Sequence, residues 1–143
     1  MIRLMTAEDV RFFNEVRNEC SQWLHDPKTY TYKEALSWFK NTENPYFIYE
    51  LEENKIGYFR TSHWEEGSCF VGMDIHEDHR GKKLAVPAYN EFFAFLKKEH
   101  GIKKFKLTVL GKNERALNLY KKLGFKIIEK NLHGQLENIV MEK

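Results

Sequence analysis

Residues 76–85, HEDHRGKKLA, pass from an acidic run through Arg80–Lys83 into a long segment with helical apolar periodicity. The free N–H groups at a helix N-terminus, with their partial positive charge, suit a phosphate or pyrophosphate. Because Pro87 has no N–H and is tolerated only in a first turn, we expect this helix to begin near Lys83 or Leu84. The stretch therefore predicts either an anion site or an ordinary charged turn, and residue chemistry alone favours neither.

A second stretch that could do chemistry runs from Asn113 to Phe125. It predicts a short helix that Asn113 caps and Gly124 ends. Tyr120 falls on the apolar face of this helix. A tyrosine in that position is either a core aromatic residue with a satisfied hydroxyl or a phenol that acts on a ligand.

The elements that position these residues follow from the periodicity. Helix-start signals at Thr6 and Thr31, each followed three residues later by an acid, predict two N-terminal helices. Alternation of apolar and polar residues then predicts three antiparallel strands, followed by a helix over about 84–100. The strands are predicted at 2–4, 46–51, 56–63, 68–75, 105–110, 125–129 and 138–142.

A strand, a long helix and another strand form a βαβ crossover, so the strands near 71–75 and 105–110 should lie roughly parallel. The stretch 80–85 lies where the first of them passes into the helix, which is where ligands bind in parallel sheets. The sequence thus predicts an α/β (α+β) fold in a single domain over residues 1–143. We expect a mixed central sheet of about six to seven strands flanked by about four helices.

Composition excludes several classes of protein. Hydrophobic residues are 42% and charged residues 31%, which is typical of a globular protein. No segment approaches the ~20 apolar residues of a membrane span and no signal peptide precedes the fold, so we expect a soluble, cytoplasmic protein with no membrane partner. Cys20 and Cys69 have no histidines at metal-site spacing, which predicts reduced, partly buried thiols and no metal. The lysine-rich C-terminal half indicates a solvated face rather than a nucleic-acid surface.

The two stretches resemble the GCN5-related N-acetyltransferase (GNAT) superfamily, and the resemblance covers most of the chain from about residue 46. In that family an Arg/Gln-x-x-Gly-x-Gly/Ala loop binds the pyrophosphate of acetyl-CoA. Residues 80–85 match at Arg80 and Ala85, but Lys83 stands where the family has its central glycine. If that position needs positive φ, lysine costs about 1–2 kcal/mol of strain, which its charge near a phosphate offsets in part. Residues 113–125 match the family's Asn-x-x-Ala-x-x-x-Tyr-x-x-x-Gly-Phe segment at every named position.

The resemblance implies acetyl-CoA as co-substrate. In the family the strand before the loop splays from its neighbour and pairs with the pantetheine arm, the asparagine contacts the CoA arm, and the tyrosine hydroxyl faces the thioester sulfur. The cofactor-binding residues that it implies are Met73, Ile75, Arg80, Gly81, Lys82, Lys83, Leu84, Ala85, Asn113 and Tyr120.

The chemistry that the resemblance implies is direct attack of an amine on the acetyl thioester. Tyr120 is the predicted general acid for the departing thiolate. An alkylamine of pKa ~10.4 is almost entirely protonated at pH 7, so presenting its neutral form costs roughly 4–5 kcal/mol. Asp74 is the first candidate for the base that helps, with Glu50 and His63 as weaker ones. An ordered water is the alternative, and His76 is expected to be a polar residue at the strand end.

The acceptor stays open at this point. The resemblance places it between residues 21–32 and 130–137, which hold aromatic and histidine side chains that line a pocket or belong to a core or lid. These side chains are Trp23, His25, Tyr30, Tyr32 and His133. The candidates are an amino sugar, an amino acid or small amine, and a protein N-terminus. A non-catalytic module that binds CoA or another ligand is the alternative function, and a homodimer is compatible with late edge strands.

Overall fold

The computed structural model describes residues 1–143. The strands are β1 (Ile2–Leu4), β2 (Phe47–Leu51), β3 (Asn54–Glu65), β4 (Ser68–Ile75), β5 (Lys104–Leu110), β6 (Lys126–His133) and β7 (Leu136–Glu142). The helices are α1 (Val10–Cys20), α2 (Tyr32–Asn41), α3 (Ala85–His100) and α4 (Glu114–Lys122). All seven strands form one mixed sheet in the order β1-β2-β3-β4-β5-β7-β6, in which only β4 and β5 pair in parallel. The predicted α/β fold, with its order of elements, is confirmed.

Local signals set the ends of the helices. Thr31 and Glu34 form the predicted capping box, with Thr31 Oγ1 accepting from the Glu34 N–H at 3.1 Å and Glu34 Oε1 from the Thr31 N–H at 3.0 Å. Gly101 ends α3 with φ of 65° and Gly124 follows α4 with φ of 96°, a left-handed region that glycine adopts most readily. These short-range interactions explain why the helices lie where the sequence places them.

Helices cover both faces of the sheet. On one face Phe92 of α3 stacks on Phe59 of β3, with ring centroids 4.0 Å apart. On the other face Phe13 of α1 packs against Tyr58 of β3, with centroids 4.7 Å apart. Burying each such ring removes apolar surface from water and contributes about 1.5–3 kcal/mol. The alternation along β3 therefore supports two cores, one on each side of the sheet.

The last hairpin is longer than predicted. β6 runs to His133 and β7 begins at Leu136, whereas the sequence predicted strands at 125–129 and 138–142. All eight residues of β6 are exposed because this strand lies at the edge of the sheet. An edge strand without a buried face has no alternation of polar and apolar residues, so sequence periodicity could not delimit it.

A cleft opens between β4 and β5. The two strands pair only through Ser68–Phe70 and Lys104–Lys106. The prediction that residues 71–75 run beside 105–110 is correct in direction, but the paired residues are the earlier ones. Beyond Phe70 the edge of β4 has no strand partner, which leaves backbone groups free for a ligand. No helix in the chain is both long and apolar enough to cross a bilayer.

Candidate functional site

The open edge of β4 forms one wall of the site. The N–H of His76 donates to the carbonyl of Ile56 on β3 at 2.9 Å, and Tyr58 lies opposite Asp74. Because backbone groups alternate in direction along a strand, Met73 and Ile75 direct theirs away from β3, toward the cleft. The Ile75 carbonyl accepts from Arg80 Nε at 2.8 Å, whereas β5 offers Met73 no partner. Both residues therefore lie on the edge of β4 that has no strand partner.

The loop between β4 and α3 is curled and lacks a side-chain cap. Gly81 has φ of 75° and Lys83 has φ of 58°. Lys83 therefore has the positive φ at which a non-glycine residue is strained. α3 begins at Ala85, and its N-cap Leu84 makes no side-chain hydrogen bond to the first turn. Residues with alternating signs of φ form concave sets of N–H groups that bind anions. The loop therefore has the backbone geometry of an anion site.

Arg80 is turned toward α1 rather than toward the start of α3. Its Nη2 lies 3.0 Å from Cys20 Sγ and 4.0 Å from Glu19 Oε1, while Nε donates to the Ile75 carbonyl. Lys82 and Lys83 are exposed and form no ion pair. The two lysines are consequently the free cations of this loop.

Asp74 is a buried carboxylate, 7% exposed, that points to the α1 side of the sheet. Its Oδ2 accepts from the Tyr58 hydroxyl and lies 3.6 Å from Arg60 Nε. A Cβ on Gly72 would come within 2.7 Å of the Arg60 guanidinium, so the glycine makes room for it. Burial lowers the pKa of Arg60, but the charge of Asp74 and the nearby phenols of Tyr58, Tyr46 and Tyr120 together outweigh burial, and the net shift is upward. No protein group donates to Asp74 Oδ1, which leaves that oxygen for a ligand.

Sequence reasoning missed Arg60. Its signal was present, because it is the one charged residue in the otherwise uncharged run 56–61. Such a charge is kept inside a strand only with a partner. The partner, Asp74, is 14 residues away in sequence and is brought near by strand register.

Tyr120 lies on α4 with its ring packed edge-on against Tyr89 and Phe125, each with a centroid distance of 6.0 Å. The buried Tyr89 hydroxyl beside it has no hydrogen-bond partner that meets ordinary bond geometry. Burial raises the pKa of Tyr120; the Tyr89 hydroxyl and the charge of Arg60 oppose the shift, and Asp74 adds to it. Tyr120, Arg60 and Asp74 are therefore near enough to interact by charge. A phenol of raised pKa stays protonated at neutral pH.

Asn113 caps α4 as predicted. Its Oδ1 accepts from the Ala116 N–H at 3.3 Å. Its Nδ2 has no partner in the chain and is the group that could face a ligand.

The other acid–base candidates lie away from Tyr120. Glu50 pairs with Arg3 in an ion cluster beside β1. His63 is exposed at a bulge of β3, with its ring 5.0 Å from that of Phe70. His76 Nδ1 accepts from the Asp78 N–H at 3.1 Å, which confirms it as a polar residue at a strand end. Asp74 is thus the one predicted candidate that lies near the phenol.

A cavity of about 540 Å³ lies between α1 and α2, and we call it the helical pocket. Its walls include Phe13, Asn14, Tyr30, Trp38 and Tyr46. Of the five side chains predicted for the acceptor region, only Tyr30 lines it. The sequence did not single out the remaining wall residues, which are Phe13, Asn14, Trp38 and Tyr46. They belong to α1, to α2 and to the residue before β2, all outside the regions 21–32 and 130–137 that were predicted for the acceptor.

The remaining predicted side chains are placed around the pocket. Trp23 is 45% exposed, and Tyr32 lies beneath the Arg11 guanidinium at 4.1 Å. His133 Nε2 lies 3.0 Å from the His25 carbonyl, which ties the segment before α2 to the last hairpin. These residues form a rim and a link between segments rather than the walls of the cavity.

Both thiols are free and buried, as predicted. Burial raises the pKa of Cys20 and of Cys69 to about 11. Away from the cleft, Glu15, Glu19 and His76 each place one ligand atom within 4.8 Å of the others. Glu15 and His76 are already near each other at 3.5 Å, the distance of a weak ion pair.

A model of the acetyltransferase (GNAT) family matches residues 9–125. No curated protein matches the sequence significantly. The structure of yncA from Salmonella typhimurium with its cofactor acetyl-CoA is 17% identical, with a TM-score of 0.78 and coverage of 100% of this chain and 92% of that one.

Two further solved structures share the fold. A mutant of the spermidine N-acetyltransferase SpeG from Vibrio cholerae is 18% identical, with a TM-score of 0.84 and coverage of 99% of this chain and 93% of that one. A ribosomal-protein-alanine N-acetyltransferase from Brucella melitensis is 14% identical, with a TM-score of 0.80 and coverage of 100% and 98%. At these identities the likeness shows the fold alone.

Proposed function

The chain belongs to the acetyltransferase (GNAT) family of acetyl-CoA-dependent N-acetyltransferases, and on this premise we propose that it moves an acetyl group from acetyl-CoA to a primary amine by direct attack on the thioester. The observation that carries the proposal is the cleft between β4 and β5, with the phenol of Tyr120 near its wall. An open strand edge, an uncapped helix start and a protonated acid are the groups that this reaction needs.

Acetyl-CoA fits the cleft by its chemistry. Its pantetheine arm carries amides, which pair with the backbone groups of Met73 and Ile75 as a strand would. Its pyrophosphate suits the N–H groups of residues 81–85 and the charges of Lys82 and Lys83. Asn113 Nδ2 donates to the CoA arm. The Ile75 carbonyl already accepts from Arg80 Nε, so the arm either uses the second lone pair of that oxygen or displaces the Arg80 side chain.

The acetyl transfer proceeds through a tetrahedral intermediate. The neutral amine nitrogen forms a bond to the thioester carbon, and the carbon–sulfur bond breaks after the tetrahedral intermediate forms. Tyr120 gives its hydroxyl proton to the departing sulfur. The amine loses its extra proton to Asp74 Oδ1 or, through an ordered water, to solvent. Arg60 is a positioning residue, because its Nε lies 3.6 Å from Asp74 Oδ2 and attracts that oxygen by charge.

One observation favours the alternative of a non-catalytic CoA-binding module. Arg80 is turned toward α1, so one of the loop's cationic side chains does not face the start of α3. Such a module would bind CoA without turnover. The presence of both Asn113 and Tyr120 argues against it, because a module without turnover has no need of a phenol at that position.

Thermal unfolding with and without acetyl-CoA tests the proposal first. A ligand at about 100 times its Kd adds ~2.7 kcal/mol and raises the midpoint by several degrees. Turnover of acetyl-CoA against a panel of amines then separates the two functions. A shift with turnover supports the enzyme, and a shift without turnover supports the module. Absence of a shift, with none in a calorimetric titration, would contradict both.

A further inference from the structure

The helical pocket contains a buried hydrogen-bond acceptor without a partner. Asn14 is 8% exposed, and its Nδ2 donates to the Tyr30 carbonyl at 3.0 Å. A carbonyl can only accept, so this bond fixes which end of the amide faces Tyr30. Asn14 Oδ1 is therefore the free atom, and nothing in the chain donates to it. A buried oxygen of this kind needs a donor from a ligand or a water.

Four of the other nine residues that line the pocket are aromatic: Phe13, Tyr30, Trp38 and Tyr46. Trp38 stacks on Phe13 with centroids 4.9 Å apart and meets the edge of Tyr46 at 4.9 Å. Rings arranged in this way favour a flat, apolar ligand body. A cavity of about 540 Å³ lies within the range of small-molecule sites.

The segment around Tyr30, which forms another side of the pocket, is held by hydrogen bonds from α1 in the absence of a ligand. The Tyr30 carbonyl accepts from Asn18 Nδ2 at 2.8 Å, and the Tyr30 N–H donates to Asn18 Oδ1 at 3.0 Å. Arg17 donates to the carbonyls of Asp26, at 3.0 Å, and Lys28, at 2.6 Å. A pre-organised wall reduces the ordering cost of binding.

The charges of the pocket suit one cation and not several. Arg17 is paired with Asp26 at 3.3 Å, and Glu34 Oε1 is used in the cap of α2. The formal charge of the lining is −1, from one arginine and two acids. A polyamine would find no cluster of free carboxylates there.

The pocket adjoins the proposed reaction site. Tyr46 stacks on Tyr58 with centroids 6.0 Å apart, and Tyr58 donates to Asp74. We propose that the acceptor is an amine with an aromatic body and one hydrogen-bond donor on that body. Its ring lies among Phe13, Trp38 and Tyr46, its donor meets Asn14 Oδ1, and its amine is directed to Asp74. This inference rests on the proposed function, since it names the substrate of that reaction.

Tryptamine and 1-methyltryptamine test the assignment, because they differ only in the indole N–H that would donate to Asn14. Calorimetric titration of the full chain should show tryptamine binding about fivefold more tightly, the worth of one hydrogen bond. Asn14→Leu should remove this preference. Asn41→Leu, the same change at an exposed residue of α2 outside the pocket lining, should retain it. Thermal unfolding of each variant verifies that it is folded.

Equal binding of the two indoles to the wild type, or tighter binding of spermidine or glucosamine than of tryptamine, would overturn the inference. Preference retained in Asn14→Leu would also overturn it. These titrations need no acetyl-CoA, so their failure is separate from failure of acetyl transfer. If other amines are acetylated while the indole preference is absent, the inference fails and the proposed function stands.

Discussion

Among individual residues, Tyr120 carries the most specific expectation. Tyr120→Phe should lower kcat about 10²-fold, the low end for general acid catalysis, because a thiol of pKa near ~8.5 leaves with little help. Stability should change little, because phenylalanine keeps the ring contacts with Tyr89 and Phe125. Tyr89→Phe is the matched control, because it removes the neighbouring buried hydroxyl and should leave kcat within a few-fold of the wild type.

The pH profile gives a second measurement of the same role. Burial raises the pKa of Tyr120 above 10.0, so the general acid stays protonated through neutral pH. Wild-type kcat should therefore hold up to about pH 10 and fall beyond it, as the phenol loses its proton. Tyr120→Phe should lack that fall. An identical alkaline limb in both proteins would assign it to another group.

The proposed role of Asp74 concerns deprotonation of the amine and not departure of the thiolate. Asp74→Asn keeps the shape of the side chain but removes the charge that faces the substrate. We expect kcat/KM for the amine to drop about 10²-fold while the Kd for acetyl-CoA is unchanged. Tyr58→Phe removes only a hydrogen bond to the same carboxylate and should have the smaller effect. If Asp74→Asn leaves kcat/KM intact, the proton leaves through water and not through this residue.

Among the elements, the loop from β4 to α3 combines a favourable charge with an unfavourable backbone. Lys83 has φ of 58°, which costs about 1 kcal/mol for a non-glycine residue. Lys82 has no such strain. Lys83→Gly should therefore be about 1 kcal/mol more stable than Lys82→Gly, because both gain flexibility but only the first loses strain. Urea unfolding of the two variants measures the difference.

The same pair separates backbone from charge in acetyl-CoA binding. Both variants lose one cation, so both should lose the same electrostatic contribution to affinity, and the loss should shrink at high salt. Any advantage of Lys83→Gly over Lys82→Gly then belongs to the backbone at the position where the family has glycine. Weaker binding by Lys83→Gly would show that the charge at this position matters more than its φ.

Across the whole chain, one buried ion cluster joins the N-terminal strand, the first helix and β3. Asp9 is 1% exposed and lies 2.8 Å from both Arg3 and Lys55. Burial opposes its ionisation, but hydrogen bonds from Arg3, Lys55 and Thr6 outweigh burial and lower the pKa of Asp9. Its charged form thus stabilises the folded chain.

The sign of the pH dependence follows. Because the pKa of Asp9 is lower in the folded chain than the unfolded value near ~3.9, its contribution is present above that value and lost as pH falls through the folded pKa. Asp9→Asn should cost about 2–3 kcal/mol at pH 7, the low end for a broken buried pair because both partners are partly exposed. The loss of unfolding free energy caused by Asp9→Asn should become smaller below about pH 4. Glu8→Gln, at an exposed neighbour, should show neither effect; urea unfolding at both pH values measures this.

The sequence alone was enough to predict the structures that depend on residues close together in the chain. The capping box at Thr31, the cap at Asn113 and the glycines at 101 and 124 each depend on residues within one helical turn, so residue type and spacing were enough. The family resemblance also depended on such short stretches. The same reasoning failed for β6, whose limits depend on pairing with β7 and not on its own periodicity.

Only the tertiary structure decided the composition of the site. Arg60 meets Asp74 through strand register, Arg80 meets Cys20 across 60 residues, and Asn14 faces a pocket closed by Tyr30. Each contact is the outcome of many weak interactions that set how far β4 and β5 separate and how α1 lies on the sheet. No local pattern encodes those distances, because the packing energy that sets them is shared across the whole chain.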